Sequence, residues 1–152
     1  MLKYFLENDL VRFSKKQPRD WQEAIQMSCE NMLEKEMISQ VYVDEIIECV
    51  GKYGPYIVII PGVAMPHSSE QSQGVFGTGI SFTKMPEDVV FEAGNPEKNA
   101  KLFFVLAAKN GDEHVQNIAN LSEMLMTDGL VEDLSVIHSF EEYQGLVEKY
   151  NI

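Results

Sequence analysis

Pro55-Tyr-Ile-Val-Ile-Ile-Pro61-Gly-Val-Ala-Met-Pro66-His67 is the stretch on which the fold turns. Tyr56 to Ile60 is a continuous, mostly β-branched run closed at each end by proline, the pattern of a strand covered on both faces. It is expected in the middle of a sheet. Upstream, Val43, Ile46, Ile47 and Val50 form an apolar stripe at helical spacing, and Gly54-Pro55 supplies a stop, so a helix is expected to end near Tyr53. Before that, Asp20 and Glu23 have capping-box spacing. Trp21, Ala24, Ile25, Met32 and Leu33 follow at helical period and predict a helix over about 21–36.

Downstream, Phe76 to Thr83 reads as a further extended stretch, and Leu102 to Ala108 as a second fully buried strand. Between them, Met85 to Lys98 carries two prolines and a glycine and is expected to be loop around a short strand at Val89 to Phe91. Asn110 and Glu113 repeat the capping-box spacing. Val115, Ile118, Leu121 and Leu125 then share one helix face that stops before Gly129. A short helix over Leu130 to Leu134, a brief strand at Val136 and Ile137, and a third capping box at Ser139 and Glu142 lead into a last helix. Helices before and after apolar strands imply an α/β domain of three layers. Its sheet is expected to be mixed, with helices on both faces, because Phe76 to Thr83 alternates while the other runs do not.

The chain has 152 residues, a length expected to form a single domain, and no internal repeat or Gly/Ser linker divides it. Hydrophobic residues make up 45% and charged residues 24%, the composition of a folded globular chain. Twelve basic against 24 acidic side chains give a net charge of −12, which repels phosphate backbones and makes nucleic acid a poor partner. The longest apolar run, seven residues from Leu102, is far short of the roughly 20 needed to span a bilayer. Met1 to Leu10 contains Glu7 and Asp9 and lacks a basic region followed by an apolar run, so a cytoplasmic location is expected. Cys29 and Cys49 have no ligand or CxxC spacing and read as free thiols.

Three histidines are the groups able to titrate near neutral pH without perturbation. His67 follows Pro66 beyond the apolar run, a setting that suits a rigidly presented imidazole able to attack a phosphoryl group; a loop or capping histidine fits the same spacing. His114 lies in the first turn of the helix after the second buried strand, where free amides and the helix dipole favour an anion. A solvent-exposed first-turn residue is the alternative there, and His138 reads as structural. Gly74, Gly77 and Gly79 do not form a nucleotide-binding loop, Ser68 and Ser69 lack the setting of a hydrolase nucleophile, and Asp112 and Glu113 read as capping residues rather than metal ligands. No cofactor and no metal are expected.

The ordered set Tyr53-Gly-Pro-Tyr-Ile-Val-Ile-Ile-Pro-Gly-Val-Ala-Met-Pro-His67, Gly77-Thr-Gly-Ile-Ser-Phe, Leu102-Phe-Phe-Val-Leu-Ala-Ala and Asp112-Glu-His114 resembles the mannitol/fructose-type enzyme IIA domain of the bacterial phosphotransferase system. The Gly-Pro-Tyr-Ile-Val stretch is most similar to its ascorbate-type branch. The resemblance covers roughly residues 20–150. It implies a phosphoryl carrier in which His67 is the acceptor and His114 the second active-site histidine. The histidine-containing phosphocarrier protein would be the donor and a cysteine of enzyme IIB the recipient, with the membrane enzyme IIC involved only indirectly and ascorbate or a related sugar as cargo. A homo-oligomer is compatible with this role.

Many relatives carry Pro-His-Ala-Arg or an upstream arginine close to the phosphohistidine. Here Ser69 takes the first place, and only Lys52 lies near the second. A lysine lacks the arginine fork that matches phosphate, so the departure bears on transfer rate, partner and sugar. The alternative from another class is a regulatory binding module whose partner affinity is switched by phosphorylation of His67.

Overall fold

A computed structural model describes residues 1–68 and 72–152. In chain order the elements are α1 (Leu2–Glu7), β1 (Val11–Phe13), α2 (Trp21–Glu34), α3 (Gln40–Tyr53), β2 (Gly62–Ala64), β3 (Gly79–Val90), a 3-10 turn (Pro96–Lys98), β4 (Asn99–Ala107), α4 (Gly111–Leu125), α5 (Leu130–Val136) and α6 (Phe140–Tyr150). Among the described residues the strands form one sheet in the order β1-β3-β4-β2. β3 and β4 are antiparallel, whereas β1 runs parallel to β3 and β2 parallel to β4. The sheet is therefore mixed.

The layers follow from the two-residue period of a strand. On β4, Leu102, Phe104 and Leu106 enter one apolar layer with Leu2, Phe5, Leu121, Leu134 and Tyr143. Phe103, Val105 and Ala107 enter the opposite layer with Ile25, Met32, Val43 and Ile46. Helices α1, α4, α5 and α6 thus cover one face and α2 and α3 the other, which is the expected three-layer α/β arrangement. Phe82 of β3 stacks on Phe104 with ring centroids 4.7 Å apart, joining the two central strands within the first layer. No helix among the described residues is long and apolar enough to cross a membrane.

The three capping signals are realised at their helix starts. The side chains of Asp20, Asn110 and Ser139 accept from the amides of Glu23, Glu113 and Glu142 at 2.8, 2.9 and 3.1 Å. The glutamates take other donors than the N-cap amide: Glu23 the amide and guanidinium of Arg19, Glu113 the side-chain amide of Asn110, and Glu142 the His138 amide and the Ser139 hydroxyl.

Four expectations about local structure are corrected. Tyr56 to Ile60 is not a central strand: the amide of Val58 donates to the Pro55 carbonyl at 3.1 Å, turning the chain just after the proline. Ile57 and Val58 are buried, but Ile59 is 68% exposed, so the run does not have two covered faces. The strand forms only at Gly62–Ala64, after Pro61, and it is an edge strand beside β4. Second, the next strand starts at Gly79 rather than Phe76 and continues through Pro86 to Val90, with its register shifting between Lys84 and Val89. Proline lacks an amide, and the bulge leaves it unneeded. Gln17 covers this irregularity by bonding the amide of Glu87 and the carbonyls of Glu87 and Asp88. Third, Val136 belongs to α5 and Ile137 is buried outside any strand. Fourth, Met85 to Lys98 is not loop around a short strand at Val89 to Phe91, because β3 runs unbroken from Gly79 to Val90; α1 and β1, each too short to show a period in the sequence, precede the first expected helix.

Candidate active site

β4 is the reference for both imidazoles. Beyond the end of β2 the chain keeps its place beside β4, because the Leu106 amide donates to the Pro66 carbonyl at 3.0 Å. The Leu106 carbonyl accepts the hydroxyl of Tyr42, from α3, at 2.5 Å, and the Tyr42 oxygen accepts the Ser68 amide at 3.4 Å. The residues on either side of His67 are thus tied to one residue of a central strand. Tyr56 adds a third restraint: its hydroxyl donates to the His67 carbonyl, and its ring meets the imidazole edge-on with centroids 5.3 Å apart.

The imidazole of His67 is itself fixed. Its Nδ1 lies 2.5 Å from the Met65 carbonyl. A carbonyl only accepts, so Nδ1 carries the proton and Nε2 carries the lone pair in the neutral ring. Burial lowers the His67 pKa from its ordinary 6.5; the Met65 carbonyl opposes this, and nearby His114 adds to the lowering. The ring is therefore neutral, and nucleophilic at Nε2, at neutral pH.

His114 stands beside it, with ring centroids 5.4 Å apart and planes 44° from parallel. It occupies the first turn of α4, where its amide donates to the carbonyl of the N-cap residue Asn110 at 3.1 Å. His114 thus sits at the positive end of the α4 dipole, the end of a helix that favours an anion. The arrangement combines a nucleophilic nitrogen, a second imidazole able to donate, and a helix N-terminus. That combination suits transfer of a phosphoryl group.

His67 and His114, far apart in sequence, are brought together. His138 is not part of the pair; it is exposed, and its amide donates to the Glu142 carboxylate at 3.3 Å. Glu113 turns toward Thr78 and Asn110, in keeping with its expected capping role. Lys52 places its Nζ 5.1 Å from the centroid of the Tyr53 ring. Ser69 lies outside the described residues. Cys29 is fully buried, with its thiol pushed up to about 12 by desolvation, while Cys49 brings its sulfur 3.9 Å from the Ser68 hydroxyl.

Tyr42 and Tyr56 are the supporting residues that sequence reasoning missed. Tyr42 sits beside the apolar stripe of α3 and Tyr56 inside the supposed strand, and neither position marks a hydroxyl aimed at a distant carbonyl. Burial raises both phenols, so both remain protonated donors.

The model of the family described as phosphoenolpyruvate-dependent sugar phosphotransferase system, EIIA 2, matches residues 4–150. The mannitol-specific cryptic phosphotransferase enzyme IIA component of Escherichia coli (strain K12) is 36% identical over 131 residues, covering 86% of this chain and 87% of its own. The solution structure of an Escherichia coli protein of that name superimposes with a TM-score of 0.81 at 32% identity, over 97% of this chain and 98% of the other. The ascorbate-specific PTS system EIIA component of Salmonella typhimurium is 27% identical over 151 residues, 95% of this chain and 93% of its own. A structure of enzyme IIA for mannitol in complex with phosphorylated enzyme IIB, from Escherichia coli, matches with a TM-score of 0.75 at 26% identity, over 91% and 94% of the two chains.

Proposed function

The chain belongs to the EIIA 2 family of the phosphoenolpyruvate-dependent sugar phosphotransferase system and is a phosphotransferase component; from that premise we propose that residues 1–152 work as one enzyme IIA domain in the cytoplasm, with His67 as its phosphoryl acceptor. The observation that carries the reading is the pairing of His67, its Nδ1 committed to the Met65 carbonyl, with His114 at a ring separation of 5.4 Å.

In the first step the His67 Nε2 lone pair attacks the phosphorus held on the histidine of the phosphocarrier protein. The new N–P bond forms as the donor's N–P bond breaks, and the donor imidazole leaves with that electron pair. His67 keeps its Nδ1 proton throughout, so it needs no separate base. In the second step the thiolate of an enzyme IIB cysteine attacks the same phosphorus, an S–P bond forms, and the electron pair returns to Nε2. The protein's share is positioning and charge stabilisation: His114 or backbone amides donate to the phosphoryl oxygens. Membrane enzyme IIC takes part only through enzyme IIB, and the proposed cargo is ascorbate or a related sugar. The likeness to an ascorbate-specific EIIA, 27% identical over 95% of the chain, supports that choice, while the 36% identity to the mannitol-specific cryptic component makes mannitol the competing cargo.

The test starts from the chain phosphorylated by the phosphocarrier protein and mixes it with purified enzyme IIB of the ascorbate and of the mannitol type. Loss of phosphate from His67 with gain of phosphocysteine on the ascorbate-type enzyme IIB is the expected result. Gain on the mannitol type alone reverses the sugar assignment. Binding that depends on phosphorylation, with no transfer to either, favours the regulatory module.

A further inference from the structure

The end of the sheet that carries both imidazoles also carries a side-chain latch in which neither histidine takes part. Thr78 immediately precedes β3. Its Oγ1 accepts from the Lys109 amide at 3.0 Å and donates to Glu113 Oε2 at 2.6 Å. The same carboxylate oxygen accepts from the Asn110 side-chain amide at 3.3 Å, while Asn110 Oδ1 accepts from the Glu113 amide at 2.9 Å. Thr78 therefore joins the start of β3 to the first turn of α4 at the residue before His114.

A second anchor lies just beyond it. Buried Asn117, on the turn after His114, donates Nδ2 to the carbonyls of Ala107 at 3.0 Å and Gly79 at 3.5 Å. Gly79 and Ala107 are the terminal register pair of β3 and β4. The two anchors flank His114 in sequence and fasten α4 to the same end of the same strand pair. His67 takes its place from Leu106 on β4, so the distance between the imidazoles is set by how firmly the start of α4 is held to that strand end.

We propose that Thr78 is a positioning residue for His114, acting through Glu113 to hold the first turn of α4 at the distance that phosphoryl transfer needs. This rests on the reading of His67 and His114 as the transfer pair. Helix first turns fray because their amides lack internal partners, and an N-cap bond restrains only one of them. A hydroxyl bridging the N3 carboxylate and the Lys109 amide adds restraint across the sheet edge. Loss of about an ångström of placement is enough to slow a transfer severely.

The test compares the wild type with Thr78→Val, which keeps the shape and loses the hydroxyl, Thr78→Ser, which keeps the hydroxyl, and Glu113→Ala, which removes the partner. Phosphorylation by the phosphocarrier protein is followed at varied donor concentration. Thr78→Val and Glu113→Ala are each expected to lower kcat about 5- to 10-fold with KM unchanged. Thr78→Ser should recover most of the loss, and the double variant should be no slower than the slower single one. Additive losses, or a rise in KM alone, overturn the proposal, as does a Thr78→Ser variant as slow as Thr78→Val. A second readout uses no phosphate: the ring-proton resonances of His114 in the unmodified chain should move in Thr78→Val and in Glu113→Ala and return in Thr78→Ser. Unmoved resonances overturn the latch on their own. A wild type that takes no phosphate defeats the carrier reading instead and leaves the resonance test to decide the latch. If Thr78→Val does not fold, Glu113→Ala against the wild type decides both readouts.

Discussion

Tyr42 donates its hydroxyl proton to the carbonyl of Leu106 at 2.5 Å, and the same oxygen receives the Ser68 amide at 3.4 Å. With the Leu106 amide on Pro66, one strand residue holds both neighbours of His67. Tyr42→Phe leaves the Leu106 carbonyl without this buried donor and should cost about 1–3 kcal/mol of stability. A denaturant midpoint that falls at unchanged slope checks this. Acceptance of phosphate at His67 should slow in the same variant. A Phe variant with both the stability and the rate of the wild type would remove Tyr42 from the site's support.

Burial lowers the pKa of His67, and this sets the sign of two pH effects. The proposed nucleophile is the neutral ring, so the acid limb of its phosphorylation rate should fall below the ordinary 6.5 of a histidine. On the stability side, the unfolded chain binds the His67 proton more tightly than the folded one. The stability from this group is full above the unfolded value of 6.5 and is lost as pH falls through 6.5 toward the lower folded value. His67→Ala should flatten that part of the stability profile. Denaturant melts of both proteins at several values between about pH 5 and 7 measure the difference.

His114→Ala keeps the proposed acceptor His67 and removes the neighbouring imidazole. It should lower the rate at which His67 takes phosphate by about 100-fold, the scale seen when one donor to developing charge is deleted, while still reaching one phosphate per chain. Rapid-quench time courses separate rate from final extent. A variant as fast as the wild type would remove His114 from the transfer.

Phe104→Ala tests the scaffold apart from the chemistry. Phe104 is fully buried, stacked on Phe82 and 5.8 Å from the Phe5 ring, so its loss should cost about 3–5 kcal/mol. Chains that remain folded at low temperature should still accept phosphate on His67, because the ring points into the layer under α1 and away from Leu106's bonds to Pro66 and Tyr42.

The layered fold was legible in the sequence because its helices announce themselves twice, by apolar period and by caps. Asp20, Asn110 and Ser139 each precede a stripe that a helix would bury, and each cap forms. The error at Tyr56 to Ile60 has a physical source: apolar content without period cannot distinguish a strand from a buried turn. Here Pro55 starts a turn, and only Ile57 and Val58 of the run are fully covered. The strand that extends past Pro86 was hidden for the opposite reason, since a bulge accepts the proline that a regular ladder would reject. In the candidate site, residue type and place at element ends made His67 and His114 candidates, but a loop histidine and an exposed first-turn residue fitted the same spacing, and only the family resemblance paired them. Their supports could not be singled out, because Tyr42, Tyr56 and Thr78 act through hydroxyls whose partners lie 64, 11 and 35 residues away.

The central claim is that His67 carries the phosphoryl group. Intact-mass measurement after incubation with phosphoenolpyruvate, enzyme I and the phosphocarrier protein, on the wild type and on folded His67→Ala, tests it most directly. One acid-labile phosphate on the wild type and none on the variant is the expected result. A phosphate retained by His67→Ala, or a wild type left unmodified by a donor that phosphorylates another enzyme IIA in the same mixture, would contradict it.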